Sequence, residues 1–491
     1  MSQNKTQTFF KGISVQTVFT AVMGILEIVV FSAMSRLLSK EDFGYYAALS
    51  GVITIFGSIA NAGFGASIIQ KKDADDNYIA TAFRLSCMVG LTCSTIIFIL
   101  APFLASLVAD STLTMPMRMM ALTVFFNSLV GVGFGILYRQ LSFKKIGIIS
   151  VTAYIASSAV GIMMAYNGFG LLSIVVFGML NPFLTILLLL PQLLLAIKGK
   201  FDKQLAKGIF NFGGWLTLGV IVNTITQQLD KLLLSNWISV KALGAYNRPA
   251  GFVTTIAGKI QNIFDTVLFP MLSGIQDNKE RIISVFYTAV SLLNSCSILL
   301  AIIFFFNAEL IITIFFGANW TDMIPVMRIV SVGIIFSIDG QLVDCFFRSL
   351  NLVKVGFYLR LFGLVVSVIG IFIGSSYGIT GVASAIVISN ILIIIVKMIV
   401  LSSLVDASIF TMFSKWLIAW KPALIPAVLG AVYLFILPHG FVMNILFLVL
   451  QLIVISSEML LFPKLIGDDY SKIVYPMVGK IVRIPHKNIF S

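Results

Sequence analysis

The sequence predicts an all-α integral membrane protein with about fourteen transmembrane helices. Three observations predict it. Of the 491 residues, 59% are hydrophobic and only 11% charged, whereas a soluble domain carries about 25% charged residues. The apolar runs are long and continuous, unlike the alternating segments of about ten residues in a membrane β-barrel. Lysines and arginines gather in alternate connections between the runs, as they do when a chain crosses a bilayer repeatedly.

Spanning a hydrocarbon core of about 30 Å takes about 20 apolar residues in a helix. Helices satisfy their own backbone groups, which lipid cannot do. Apolar runs bounded by charge, proline, glycine or asparagine give seven spans at 13–37, 44–68, 79–107, 116–137, 146–166, 169–196 and 209–236. Seven more follow at 246–270, 283–306, 324–347, 356–375, 379–404, 415–437 and 441–463. The N-terminal MSQNKTQTFFKGISVQ is polar and shows no small-residue cleavage site, so the first run is expected to be a retained helix. With the N-terminus cytoplasmic, 25 of the 33 lysines and arginines fall on the cytoplasmic side. Six fall on the other side, and Lys231 and Lys259 lie within spans. The bias predicts that both termini are cytoplasmic.

The chain repeats itself. LLSKEDFGYY at 37–46 and WISVKALGAY at 237–246 match at an offset of 200 through Ser39 and Ser239, Gly44 and Gly244, and Tyr46 and Tyr246. Both segments follow one span and lead into another. Six spans separate the copies, so two halves of one orientation are expected, a pattern of transporters whose bundles rock about a central site.

Several function classes lack material. The net charge of +13 is explained by basic loops, and no soluble stretch is large enough to present a nucleic-acid surface. Only two histidines occur, His439 and His486, too few for a zinc site or a Ser-His-Asp triad. Cys87, Cys93, Cys296 and Cys345 all lie in apolar runs and read as small buried hydrophobes, not as a disulfide or metal framework. The glycines at 63–65 and 131–135 have no preceding strand, so they read as close helix packing instead of a dinucleotide loop. No enzyme activity, metal or cofactor is expected.

What remains is charge and polarity inside the membrane, which is costly and marks candidate sites. In the seventh span, Asn223, Gln227, Asp230 and Lys231 share one helical face and fit either a cavity lining or a partnered structural set. In the eighth, Arg248 and Lys259 are eleven residues apart, almost whole turns, and share a face at two depths with Thr255 between them. Such cations suit a phosphate headgroup. Glu27 stands well inside the first span, below Gln16 and Thr20; it fits a proton or cation site or the partner of a base. Asp344 and Arg348 are spaced for a local ion pair, and Arg84 and Arg360 are expected to snorkel to the cytoplasmic surface.

RLLSKEDFGYY (36–46), GFGASIIQKKD (63–73), FRLSC (83–87), ILYRQLSFKKIG (136–147), FGGWLTLG (212–219), QQLDKLLLSNWIS (227–239), LGAYNRPAG (243–251) and VLFPMLSGIQD (267–277) occur in order. On these segments the chain resembles the polysaccharide-transport branch of the MOP flippase superfamily, the Wzx-like oligosaccharide flippases, through about residue 400. The resemblance implies two six-helix lobes around a central cavity, plus two C-terminal helices. Lobes at 1–208 and 209–408, followed by 409–491, fit that plan. It also implies flipping of lipid-linked oligosaccharide, typically on undecaprenyl diphosphate, from the cytoplasmic to the periplasmic leaflet of a bacterial inner membrane. Alternating access, coupling to H+ or Na+, and polymerase or assembly partners belong to the same expectation. A drug or cation antiporter of the superfamily is the alternative, and the basic eighth span disfavours it. A membrane polymerase or ligase would need a large periplasmic loop that the spacing of spans leaves no room for.

The topology makes a direct prediction. In intact cells, a cysteine replacing Asn167 should react with a membrane-impermeant maleimide, and one replacing Ser142 should react only after permeabilisation. The reverse pattern would invert the orientation.

Overall fold

The computed structural model describes residues 3–461 apart from 62, 72–73, 109, 210–219, 222–223, 226, 229–230, 232, 234–236, 238, 274–278, 351 and 437–439. Every regular element among them is helical. The chain separates into two compact units, Met1–Asn247 and Arg248–Ser491.

The first unit contains α1 (Gln3–Leu37), α2 (Lys40–Asn61), the short α3 (Phe64–Gln70), α4 (Asp76–Val108), α5 (Thr114–Arg139), α6 (Phe143–Tyr166) and α7 (Leu171–Ile197). It also holds the start of α8 (Val240–Ser273), which runs on into the second unit. The second unit continues with α9 (Lys279–Phe306), the short α10 (Ala308–Phe315), α11 (Ile324–Ser349), α12 (Val353–Ser375) and α13 (Gly378–Val405). It ends with α14 (Ile409–Ile418), α15 (Leu424–Ile436) and α16 (Phe441–Leu461).

Among the described residues, twelve stretches are helical, long and apolar enough to cross a bilayer. They coincide with the first six and the last six expected spans; the thirteenth is α14 and α15 joined by a 3-10 turn at Lys421–Ala423. The seventh expected span lies largely outside the described residues. The eighth is α8, a helix of 34 residues whose polar side chains keep it outside the twelve.

Large apolar side chains are exposed along the outer helices, among them Val365, Ile369 and Phe372 of α12 and Val442, Leu446 and Ile453 of α16. That surface requires lipid. Proline lies inside α4 at position 102 and inside α7 at 182 and 191, as packed membrane helices tolerate.

The two units repeat one packing plan. In the first, α4 packs on α5, α5 on α7, and α6 on α7. In the second, α9 packs on α11, α11 on α13, and α12 on α13 in the same order. A guanidinium also stands over a ring from the preceding span in each: Arg118 lies 5.1 Å from the Phe98 centroid, and Arg328 lies 5.9 Å from that of Phe305.

The matched segments at offset 200 meet inside the first unit. Ser39 and Asp42 form a reciprocal cap at the start of α2, with Asp42 N donating to Ser39 Oγ at 3.1 Å and Ser39 N to Asp42 Oδ2 at 3.0 Å. Ser239 caps α8 in the same way, accepting from Ala242 N at 3.1 Å. Gly44 packs against the Val240 carbonyl and Gly244 against the Lys40 carbonyl, so the two helix starts cross about a local two-fold axis. Glu41 and Lys241 pair across the crossing at 3.2 Å. The two segments that match at an offset of 200 therefore touch each other. The other glycine motifs also behave as expected: Gly65 meets the Gly131 carbonyl where α3 crosses α5.

Arginines near the expected cytoplasmic ends hold backbone carbonyls instead of snorkelling. Arg84 Nη2 donates to Gly199 O at 3.0 Å, tying the segment after α7 onto α4. Arg139 Nη1 donates to Ile68 O at 2.9 Å and also to Lys71 O, closing the C-terminus of α3. Asn77 Oδ1 and Thr81 Oγ1 receive the Lys200 and Asp202 backbone N–H groups at 2.7 and 3.1 Å. Between α4 and α5, the Thr112 backbone N–H bonded to Asp110 holds that carboxyl below its usual range. Of the cysteines expected to be buried, Cys93 and Cys345 are, Cys87 is half-buried, and Cys296 lies on an exposed face of α9.

Gly244→Leu should lower the unfolding free energy in detergent by about 3 kcal/mol, since a side chain there collides with backbone that cannot give way. Gly57→Ala, with open space at its Cβ, should be neutral or slightly stabilising. Thermal unfolding of both variants checks the pair.

Candidate substrate-binding faces

A spanning helix with no large apolar side chain exposed is not a lipid-facing helix. Among the described residues, α2 exposes none, and its open positions are polar. Tyr46, Ser50, Thr54, Ser58 and Asn61 follow one another along it at helical spacing, with Thr54 and Asn61 exposed. Ser50 Oγ donates to Ala47 O at 2.9 Å, Thr54 Oγ1 to Ser50 O at 2.6 Å, and Ser58 Oγ to Ile55 O at 2.7 Å. Each hydroxyl proton is thus spent on the helix, and each oxygen keeps lone pairs for an outside donor. On α5, Asn127 is exposed, and Gly131 beside it leaves room for Asn61, whose Oδ1 would stand 3.3 Å from a Cβ there. The first unit therefore offers a neutral face of hydroxyl and amide groups. The hydroxyl stripe was missed in the sequence, although its spacing of four was there to be read.

The second unit differs in charge. On α8, Arg248 and Lys259 are both half-buried on the same side as the exposed Thr255, and each engages neighbouring groups. On α11 the open residues toward the C-terminal end are Ser337, Gln341, Asp344 and Arg348, one polar stripe on an otherwise buried helix. The expected local pair between Asp344 and Arg348 is not what forms: Arg348 Nε reaches the Asp344 carbonyl oxygen at 3.4 Å. The Asp344 carboxylate takes Lys397 of α13 at 2.8 Å and Arg360 of α12 at 3.6 Å. Lys397 also donates to Gly340 O at 3.1 Å and is only 7% exposed. Arg360, expected to snorkel to the cytoplasmic surface, thus has its Nε beside Asp344.

Of the other sequence-predicted residues, Asn223 and Asp230 lie outside the described residues. Gln227 is helical and exposed, while Lys231 is half-buried and donates to Gln228 Oε1 at 2.8 Å. Glu27 is half-buried in α1 and engages a neighbour. Gln16 and Thr20 are linked through the backbone, Thr20 Oγ1 donating to Gln16 O at 2.9 Å. No group of three or more potential metal-ligating side chains occurs among the described residues.

A second buried acid anchors the C-terminal helices. Asp339, 1% exposed, accepts from Trp416 Nε1 of α14 at 2.7 Å. Asn294 Nδ2 of α9 donates to Trp416 O at 3.1 Å, and Ser295 Oγ lies 3.2 Å from Ala419 O. These groups satisfy carbonyls freed where the span breaks before Pro422. Asn307 Nδ2 donates to Gln451 Oε1 of α16 at 2.6 Å. Polar bonds, not apolar burial alone, fix these helices to the unit.

With this geometry in view, a family model described as a polysaccharide biosynthesis protein matches residues 33–325. The chain belongs to that family. It is 22% identical over 353 residues to the lipopolysaccharide biosynthesis protein WzxC of Escherichia coli (strain K12), a match covering 69% of each chain. To the teichuronic acid biosynthesis protein TuaB of Bacillus subtilis (strain 168) it is 24% identical over 344 residues, covering 67% of this chain and 68% of TuaB. Among solved structures, the lipid II flippase MurJ in its inward closed conformation superposes with a TM-score of 0.71 at 16% identity, covering 90% of this chain and 98% of MurJ. The chain therefore has the multi-pass helical membrane fold of MurJ.

Trp416→Phe should cost about 1–3 kcal/mol of stability, because it leaves a buried carboxylate with neither oxygen bonded. Unfolding in detergent checks this; wild-type stability would contradict the anchor.

Proposed function

We infer that this protein flips a lipid-linked oligosaccharide across the bacterial inner membrane, from the cytoplasmic to the periplasmic leaflet. The sugar is carried on undecaprenyl diphosphate and is destined for a surface polysaccharide such as O-antigen, capsule or exopolysaccharide. Membership of the polysaccharide biosynthesis family over residues 33–325 carries the reading.

The polar faces supply the contacts such a molecule needs. A saccharide is rich in hydroxyl donors, and the oxygens along α2 are placed to accept them. A diphosphate needs cations, and Lys259 and Arg248 stand on one side of α8. WzxC and TuaB carry lipopolysaccharide and teichuronic acid biosynthesis in their names, and MurJ is a lipid II flippase; the shared theme is a glycan precursor in a membrane.

On this reading the transporter comprises lobes at 1–208 and 209–408 and a C-terminal part at 409–491, with both termini cytoplasmic. It works by alternating access driven by a proton or sodium gradient. Glu27, Asp230, Lys231, Gln227 and Asn223 are its candidate coupling or cavity-lining residues. A polysaccharide polymerase or other assembly protein is the expected partner on the periplasmic side.

Deleting the gene should trap lipid-linked oligosaccharide on the cytoplasmic face, and the wild-type gene should relieve the block. Lys259→Ala should fail to relieve it while reaching normal levels in the membrane. Intact surface glycan with no trapped intermediate would overturn the function; full rescue by Lys259→Ala would overturn only the role of that residue.

A further inference from the structure

The cluster on Asp344 holds more positive charge than the fold requires. One carboxylate needs one cation, and Lys397 at 2.8 Å already provides it. Arg360 is a second, 3.6 Å from the other oxygen through Nε alone. Its guanidinium carries five N–H donors, and its buried Nε has no hydrogen-bond partner among the described residues. An N–H donor buried without an acceptor is costly. Asp344, Arg360 and Lys397 sum to one surplus positive charge.

The position is equally specific. Asp344 lies five residues from the end of α11, Arg360 seven from the start of α12 and Lys397 eight from the end of α13. At a rise of about 1.5 Å per residue, all three stand roughly 8–12 Å inside the same end of the unit. Gln341 and Ser337 continue the polar stripe deeper into the helix, with Gln341 Nε2 3.5 Å from Ser337 Oγ.

We propose that Arg360 and Lys397, held apart by Asp344, form an anion subsite in the second unit for the diphosphate of a polyprenyl-linked substrate, separate from the cations of α8. It rests on the flippase reading above. In the orientation that the basic loops predict, this end is cytoplasmic, so the subsite receives the headgroup as the lipid enters from the inner leaflet. Arg360 offers its fork to two phosphate oxygens, while Lys397 keeps one ammonium proton beyond its bonds to Asp344 and Gly340.

The test is binding of farnesyl diphosphate to the full-length protein in nanodiscs, with farnesol and inorganic pyrophosphate as companion probes. Arg360→Gln should weaken farnesyl diphosphate binding about tenfold or more, the worth of one or two lost charge-assisted bonds. It should leave farnesol binding and the melting temperature unchanged. Arg360→Lys, which keeps the charge beside Asp344 but loses the fork, should bind with intermediate affinity, and it serves as the readout should the Gln variant not fold. Wild-type affinity in both variants would overturn the subsite and leave the flippase reading standing. Wild-type protein that binds no farnesyl diphosphate would overturn both. Competition by inorganic pyrophosphate as strong as that by farnesyl diphosphate would overturn the assignment to a lipid headgroup.

Discussion

Hydrocarbon offers no hydrogen bonds, and that constraint decides where every polar side chain in this protein goes. A polar group within a span is bonded inside the protein or stands on a face that lipid does not touch. The buried group follows the first course: Asp339 takes the Trp416 indole, Asn307 takes Gln451, and Arg139 closes the carbonyls at the end of α3. The open group follows the second: the hydroxyl stripe of α2 and the charged stripe of α11 lie on helices that expose almost no large apolar side chain.

The two units apply one packing plan to opposite chemistry. The same order of helix contacts produces a neutral polar face in one and a cationic face in the other. The shared plan fits the internal repeat read from the sequence, and at the crossing of Gly44 and Gly244 each matched segment packs its glycine on the backbone of the other.

The spans were legible because length and hydropathy report directly on the solvent, and twelve of the fourteen coincide with helices both long and apolar enough to cross a bilayer. The repeat was legible because a helix cap and a close helix crossing each demand particular residues, serine at one position and glycine at another. The destinations of single charges were not. Arg84 and Arg360 look alike in sequence, each near a cytoplasmic helix end; one holds the Gly199 carbonyl and the other leans toward Asp344. Asp344 has Arg348 four residues away, yet Lys397, distant in sequence, reaches its carboxylate because α13 packs beside α11. Periodicity says which residues share a face of one helix. Tertiary packing says what that face meets.

The most direct measurement of the central claim is reconstitution of the purified protein into liposomes carrying a fluorescent polyprenyl-diphosphate oligosaccharide. The fraction of label open to an impermeant quencher reads movement between leaflets. Protein-dependent exchange of the diphosphate-linked glycan, absent for the same polyprenol without its headgroup, is the predicted result. Liposomes that leave the glycan lipid in its original leaflet under either a proton or a sodium gradient would contradict the account.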